Sequence, residues 1–73
     1  MTMNEKMIFQ SRIVEALNQT KMTQKEIAEK LGIHPSCLTQ YKKGESEPTL
    51  TTLFELCKVL DVSSDYLLGL SDI

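Results

Sequence analysis

The sequence predicts an all-α fold of five short helices. Apolar residues recur every three or four positions in several segments, a spacing that places them on one face of a helix. Glycine, proline and helix-capping residues separate these segments, and no stretch shows the period-two alternation of a half-buried strand. At 73 residues and 41% hydrophobic, the chain suits one small core and leaves no room for a second. We therefore expect residues 1–73 to form a single domain.

The first two helices follow from their apolar faces and from a capping pattern between them. The first is expected over about residues 4–19, with a buried face formed by Phe9, Ile13, Ala16 and Leu17. Thr23 is expected to cap the second helix, and Glu26 three residues later completes a capping box. The buried face of the second helix consists of Ile27, Ala28 and Leu31. Gly32 is expected to end this helix in the left-handed conformation.

Three further helices are marked by their first and last residues. Pro35 fits the first turn of a third helix, where its missing N–H costs no hydrogen bond, and Gly44 is placed to end it. A fourth helix is expected after Thr49, with an apolar repeat at Leu50, Leu53, Leu56, Cys57 and Leu60. Ser63 is expected to cap a last short helix that ends at Gly69.

Charge is divided unevenly along the chain, although the net charge is only −2 and the pI is near 5.2. Residues 1–43 carry seven basic and four acidic side chains, a net +3, whereas residues 44–73 carry one basic and six acidic ones, a net −5. This asymmetry suits a protein that presents its first half to a polyanion and its second half to solvent or a partner. Solvated helix faces alone also produce such a division.

Several classes of protein are disfavoured by the residues present. The apolar runs are short and the first residues lack the order of a signal peptide, so we expect a cytoplasmic protein with no membrane span. Cys37 and Cys57 lie in no C-x-x-C unit, and we expect them to be reduced packing residues. His34 and Cys37 share a helical face without an acid, an oxyanion site or a pocket. We therefore expect no enzyme, no metal site and no cofactor.

The segment from Gln24 to Lys43 has the pattern of a unit that places a helix in the major groove of DNA. A groove-reading helix buries one side against its own domain and keeps the other side free for base edges. Leu38 and Tyr41 are the only large apolar residues of the third helix and would anchor it. Its outward positions carry Pro35, Ser36, Thr39, Gln40 and Lys43. Gln40 can donate and accept together, which matches N6 and N7 of adenine.

These residues resemble the Cro and Xre type, or lambda-repressor-like, helix-turn-helix family of phage and bacterial repressors. The resemblance covers nearly the whole chain and rests on Thr23, Gln24, Ile27, Ala28, Gly32, Ile33, Leu38, Tyr41, Gly44, Pro48 and the closing VSSDYLLG. It implies a lambda-repressor-like domain whose second and third helices form the helix-turn-helix, at about residues 24–43. It also implies a sequence-specific double-stranded DNA-binding transcriptional regulator, a repressor, that reads the major groove with its third helix.

The resemblance further implies roles for individual side chains. Contacts to DNA bases are assigned by position to Pro35, Ser36, Thr39 and Gln40. Contacts to DNA phosphates are assigned to Thr23, Gln24, Lys42 and Lys43. Gln24 has a physical reason for this role, because it stands beside the positive end of the second helix.

Three positions depart from the family pattern. Glu45 and Glu47 stand in the loop where many members carry Lys or Arg, and their carboxylates would repel phosphates. An Arg in the first helix and a Glu in the third often pair in the family, whereas Leu17 and Lys42 occupy those positions here. His34 replaces the usual Ser or Thr cap of the third helix and is expected to cap it less well.

The end of the chain predicts self-association. Apolar residues crowd the last eight positions, and we expect a homodimer formed through Tyr66, Leu67, Leu70 and Ile73. Phe54 is a candidate for the same surface, although a core role is equally compatible with its position. A two-fold dimer would set two recognition helices about 34 Å apart and would bind a palindromic operator.

Two other functions remain open from the sequence. One is a protein-interaction module, such as an antitoxin-like or adaptor helix-turn-helix domain that acts through its acidic half. The other is an enzyme that depends on Cys37, for which the sequence offers no supporting groups.

Overall fold

Each helix of the protein begins at a residue whose side chain accepts a hydrogen bond from the first helical turn. A computed structural model describes residues 4–72, and these capping residues are Asn4, Thr23, His34, Thr49 and Ser63. The helices they start are α1 (Glu5–Gln19), α2 (Gln24–Leu31), α3 (Pro35–Lys43), α4 (Leu50–Leu60) and α5 (Ser64–Leu67). No strand occurs among residues 4–72, so the prediction of an all-α, five-helix fold is confirmed.

Three of the four connections between helices begin with a backbone conformation that most residues avoid. Gly32 ends α2 with φ 70° and Gly44 ends α3 with φ 74°, a left-handed region where a Cβ atom is disfavoured. Asp61 ends α4 in the same region with φ 55°, which a short polar side chain tolerates better than most. The predicted left-handed end of α2 at Gly32 is therefore confirmed.

One hydrophobic core joins all five helices. Its five largest fully buried side chains come one from each helix, and they are Ile13, Ile27, Leu38, Leu56 and Leu67. The other buried residues are Phe9, Ala16, Leu17, Ala28, Tyr41 and Tyr66. Since every helix contributes to the same cluster, the orientation of α3 is fixed by packing against the rest of the domain.

The apolar repeat of α4 is only partly directed at this core. Leu56 is fully buried, whereas Leu50 is 82% exposed, so the apolar repeat extends beyond the buried face of the helix. Six helical positions turn the chain by about 600°, which leaves Leu50 about 120° away from Leu56 around the axis. Phe54 lies near Leu50 on the same side and is 61% exposed, with the Lys58 ammonium 5.3 Å from its ring centroid.

The last helix packs on α1 more closely than expected. Tyr66 and Leu67 are buried in the domain's own core, so the prediction that they form a dimer surface is wrong. Leu70 is exposed and remains available for contact, while Ile73 lies outside the described residues. The prediction failed because α5 packs against both α1 and α4, which cover these two side chains. A Cβ atom at Gly69 would come within 2.2 Å of Ile8 Cγ2.

Arg12 holds the chain end to α1 through three contacts. Its guanidinium lies 4.6 Å from the ring centroid of Tyr66, and its Nη1 donates to the carbonyl of Ser71 at 3.4 Å. Its Nη2 lies 3.6 Å from Oδ1 of Asp72. Burial raises the pKa of Tyr66, and the nearby Glu15 carboxylate raises it further, so the phenol is neutral at physiological pH.

The longest described helix, α1, has 15 residues. Within residues 4–72, no helix combines the length and the apolar character needed to cross a membrane.

The two leucines of α4 provide a matched test of this packing. We expect Leu56→Ala to lower the free energy of unfolding by about 2–5 kcal/mol, because it leaves a cavity in the core. Leu50→Ala should change it by less than about 0.5 kcal/mol, because the side chain is already in solvent. Urea unfolding followed by circular dichroism measures both values. Similar losses for the two variants would contradict the assignment of the buried face.

Candidate nucleic-acid interface

The turn between α2 and α3 sets the angle between these two helices. The Gly32 N–H donates to the carbonyl of Glu29 at 3.2 Å, and the Ile33 N–H donates to that of Ala28 at 3.0 Å. Ala28 is fully buried, and its small methyl group lets α2 and α3 pack closely. The left-handed Gly32 and the small Ala28 together produce the helix-turn-helix geometry predicted for residues 24–43.

The start of α2 is held by a reciprocal pair of hydrogen bonds. Thr23 Oγ1 accepts from the Glu26 N–H at 3.1 Å, and the Thr23 N–H donates to Glu26 Oε1 at 3.1 Å. The Thr23 N–H first, and the Thr23 side chain second, hold the pKa of the Glu26 carboxyl below its usual range by hydrogen bonding to it, so it is charged at neutral pH. The predicted capping box is confirmed.

The start of α3 is capped by His34, and its strength relative to a Ser or Thr cap stays a prediction. Its Nδ1 accepts from the Ser36 N–H at 3.1 Å, and Pro35 takes the first helical position. Since Nδ1 accepts from the backbone, it is the unprotonated ring nitrogen, and Ser36 Oγ at 2.8 Å is placed to donate to it. The imidazole reaches the second amide of its helix, whereas the hydroxyl caps Thr23, Thr49 and Ser63 each accept from the third.

Three of the predicted site residues meet in one hydrogen-bonded chain between α2 and α3. Lys42 Nζ donates to Gln24 Oε1, and Gln24 Nε2 donates to Thr39 Oγ1 at 3.4 Å. All three side chains are half-buried. Two residues predicted to contact phosphate are thus joined to one predicted to contact a base. Sequence reasoning missed this link, because residues in different helices show no common spacing in the chain.

Two exposed residues of the predicted site lie in the last turn of α3. Gln40 and Lys43 both face solvent, and Ser46 Oγ lies 3.5 Å from Gln40 Oε1. The Glu45 N–H closes the helix end by donating to the carbonyl of Gln40 at 2.9 Å. Glu45 itself is exposed, so its carboxylate stands at the edge of the surface that α3 presents.

The loop after α3 also contacts a residue that the sequence reasoning did not single out. A Cβ atom at Gly44 would come within 2.7 Å of Gln10 Oε1, which places the Gln10 amide of α1 against the end of α3. Ser46 likewise had no predicted role, although it reaches Gln40. Neither residue belongs to a local pattern, so only the folded arrangement reveals them.

The predicted base-contacting residues share one side of α3. Ser36 and Gln40 are exposed, Pro35 and Thr39 are half-buried, and the anchors Leu38 and Tyr41 point into the core. This arrangement gives α3 a buried side and a polar side along its whole length. Contact of the polar side with DNA stays a prediction.

The two cysteines are free thiols, and both are half-buried. Burial raises the pKa of the Cys57 thiol, which keeps it protonated at neutral pH.

Together, these helices define a helix-turn-helix protein. Residues 13–67 match the sequence model of the helix-turn-helix family, and the chain belongs to this family, in its Cro/C1-type branch. Members of the family are regulators of transcription and are in general not enzymes.

Curated proteins and a solved structure share this similarity. The chain is 41% identical over 61 residues to YqaE, an uncharacterized HTH-type transcriptional regulator of Bacillus subtilis (strain 168), a match that covers 84% of this chain and 53% of YqaE. It is 40% identical over 62 residues to the HTH-type transcriptional regulator ImmR of the same organism, covering 85% of this chain and 49% of ImmR. The chain thus spans about half the length of the curated relatives it matches.

A solved structure confirms the fold. The solution structure of the SOS-response transcriptional repressor LexA from Eubacterium rectale aligns with a TM-score of 0.80, covering 93% of this chain and 73% of that chain. The sequence identity is 23%, so this likeness concerns the fold alone.

Proposed function

We propose that this protein is a sequence-specific double-stranded DNA-binding transcriptional regulator that lays α3 in the major groove. The observation that carries the proposal is the two-sided α3, anchored by Leu38 and Tyr41 and polar along its other side. An α-helix fits the width of the major groove, where short polar side chains reach base edges. The similarity to HTH-type transcriptional regulators supports the same function.

Within this proposal, residues 1–73 act as one DNA-binding domain in the cytoplasm. The side chains that contact DNA form two groups. Pro35, Ser36, Thr39 and Gln40 contact bases. Thr23, Gln24, Lys42 and Lys43 contact phosphates, which fix the register of the helix on the duplex without reading sequence. Gln24 is the first residue of α2, where the helix dipole favours an anion.

Two carboxylates set the strength of binding in this proposal. Glu45 and Glu47 are exposed in the loop that follows α3, and their charges oppose those of Lys42 and Lys43. Repulsion of phosphates at this edge reduces the sequence-independent part of the affinity. Recognition of the operator then depends more on base contacts than it does in a protein with a basic loop.

Repression is the form of regulation that needs the fewest additional features. A repressor acts by occupying DNA that the transcription machinery must contact, whereas an activator also needs a surface for that machinery. The two-sided α3 meets the first requirement by itself.

A protein-interaction module is the second candidate, and the exposed side of α4 favours it. Leu50 and Phe54 are large apolar residues in solvent within the acidic half of the chain. A cavity of about 260 Å³ is lined by Glu5, Lys6, Phe9, Glu47, Pro48, Leu53 and Leu68, of which Leu53 belongs to α4. Binding to duplex DNA separates the two candidates.

The function is tested by fluorescence anisotropy with duplexes selected from a random pool. We expect binding that weakens steeply between low and physiological salt, because phosphate contacts release counterions. Lys43→Ala should weaken binding to selected and random duplexes alike, and should flatten the salt slope by about one unit. A folded protein that binds no duplex at low salt would exclude the first candidate.

Direct reading of bases is tested by Gln40→Ala. We expect a loss of about 1–3 kcal/mol on the selected site and little change on random duplex, because base contacts carry the sequence preference. The Lys43→Ala protein is the matched control, since it lies on the same exposed end of α3. Equal losses on both kinds of duplex for Gln40→Ala would argue against direct readout.

We also propose a homodimer that binds a palindromic operator, with its contact at the exposed residues Leu68 and Leu70 rather than at Tyr66 and Leu67. We expect Leu70→Lys to give a monomer in sedimentation equilibrium at tens of micromolar, because the substitution places a charge in the contact. Leu50→Lys, at an equally exposed leucine of α4, should keep the dimer mass. A monomeric wild-type protein, or a dimeric Leu70→Lys protein, would rule out this surface.

A further inference from the structure

The chain of hydrogen bonds from Lys42 to Thr39 has a defined direction. An ammonium group only donates, so its contact with Gln24 obliges the amide to present Oε1 to Lys42. The amide nitrogen is then turned toward Thr39 Oγ1, 3.4 Å away, and can only donate to it. Lys42 therefore decides which end of the Gln24 amide faces Thr39.

This direction of the hydrogen bonds leaves the hydroxyl proton of Thr39 available to donate. The hydroxyl accepts from Gln24, and among residues 4–72 its proton makes no hydrogen bond to a protein acceptor. Thr39 lies on the polar side of α3 between Ser36 and Gln40 in sequence. An ammonium at the head of the chain also polarises the bonds that follow it, which strengthens the last donor.

We propose that Lys42 is a positioning residue that makes Thr39 a hydrogen-bond donor toward DNA, so that Thr39 selects a base with an acceptor in the major groove. This inference rests on the proposed function, because it concerns how the same helix reads a base. Guanine, adenine and thymine each present an acceptor in the major groove, at O6 and N7, at N7 and at O4 respectively. Cytosine presents only its N4 amino donor there. Thr39 is therefore expected to reject cytosine on the strand that it faces.

Removal of the Lys42 ammonium allows the hydrogen bond between Gln24 and Thr39 to reverse its direction. In Lys42→Met the Gln24 amide is free to turn over and offer Oε1 to Thr39, whose proton then points inward. Thr39 would present lone pairs instead, and cytosine would become acceptable. Lys42 thus affects base preference without touching a base, which a lysine that only contacts phosphate would not do.

The proposal is tested by selecting sites from a random duplex pool at one salt concentration with four variants. Thr39→Val identifies the base position that Thr39 reads, because only the preference at that position changes. We expect Lys42→Met to reduce discrimination against cytosine at the same position by about three- to tenfold, the worth of one hydrogen bond. Thr39→Ser retains the hydroxyl and should retain the preference. Lys43→Met is the matched control, since it removes the same charge from the neighbouring residue and should leave every base preference unchanged.

A second measurement needs no DNA. We expect the side-chain amide NMR signals of Gln24 to shift in Lys42→Met and in Thr39→Val, and to stay in place in Lys43→Met. Unchanged signals in Lys42→Met would overturn the positioning role. The positioning role would also be overturned if Lys42→Met left the base preference at the Thr39 position unchanged, or if Lys43→Met altered that preference equally. Absence of duplex binding by the wild-type protein would overturn the proposed function and the base-reading step, while the amide signals would still report whether Lys42 orients Gln24.

Discussion

The burial of one side of α3 is the constraint on which the rest of the structure depends. Leu38 is fully buried and Tyr41 nearly so, and both reach a core to which every helix contributes. A nine-residue helix with two such anchors cannot rotate about its axis without exposing them. The polar side of α3 is therefore held outward as a consequence of packing, and the left-handed Gly32 fixes the angle at which it emerges.

Features that arise within a few residues were predictable, whereas those that join distant helices were not. The capping box at Thr23 and the helix end at Gly32 follow from local hydrogen bonding, and the structure confirms both. The sequence also predicts the two anchors of α3 correctly, because periodicity identifies a helical face. The exposure of Leu50 does not follow from the sequence, since periodicity shows that a face is apolar but does not show how much of that face the neighbours cover. The burial of Tyr66 was missed because its partner Arg12 lies far away in the chain.

The fold also changes how the charge asymmetry is understood. Arg12 was counted with the basic residues of the first half, but its guanidinium is turned to the chain end, over Tyr66 and beside Asp72. Asp72 is fully exposed, so their ion pair contributes little stability by itself, and stacking on the ring accounts for more of the contact. The positive charge available to an anionic partner is thus smaller than the sequence suggests. Lys42 and Lys43 at the end of α3 therefore supply a larger share of the available positive charge than the net charge of residues 1–43 implies.

The hydrogen-bonded chain between α2 and α3 has an evolutionary consequence. Among residues 4–72, the hydrogen bond of the Gln40 side chain goes to a loop serine at the limit of hydrogen bonding, so substitutions there alter the outward surface with little effect on neighbouring side chains. Thr39 belongs to a connected set, and the effect of replacing it depends on the residues present at Gln24 and Lys42. Descendants of this sequence would diversify freely at one position of α3 and only by coordinated, epistatic steps at the adjacent one.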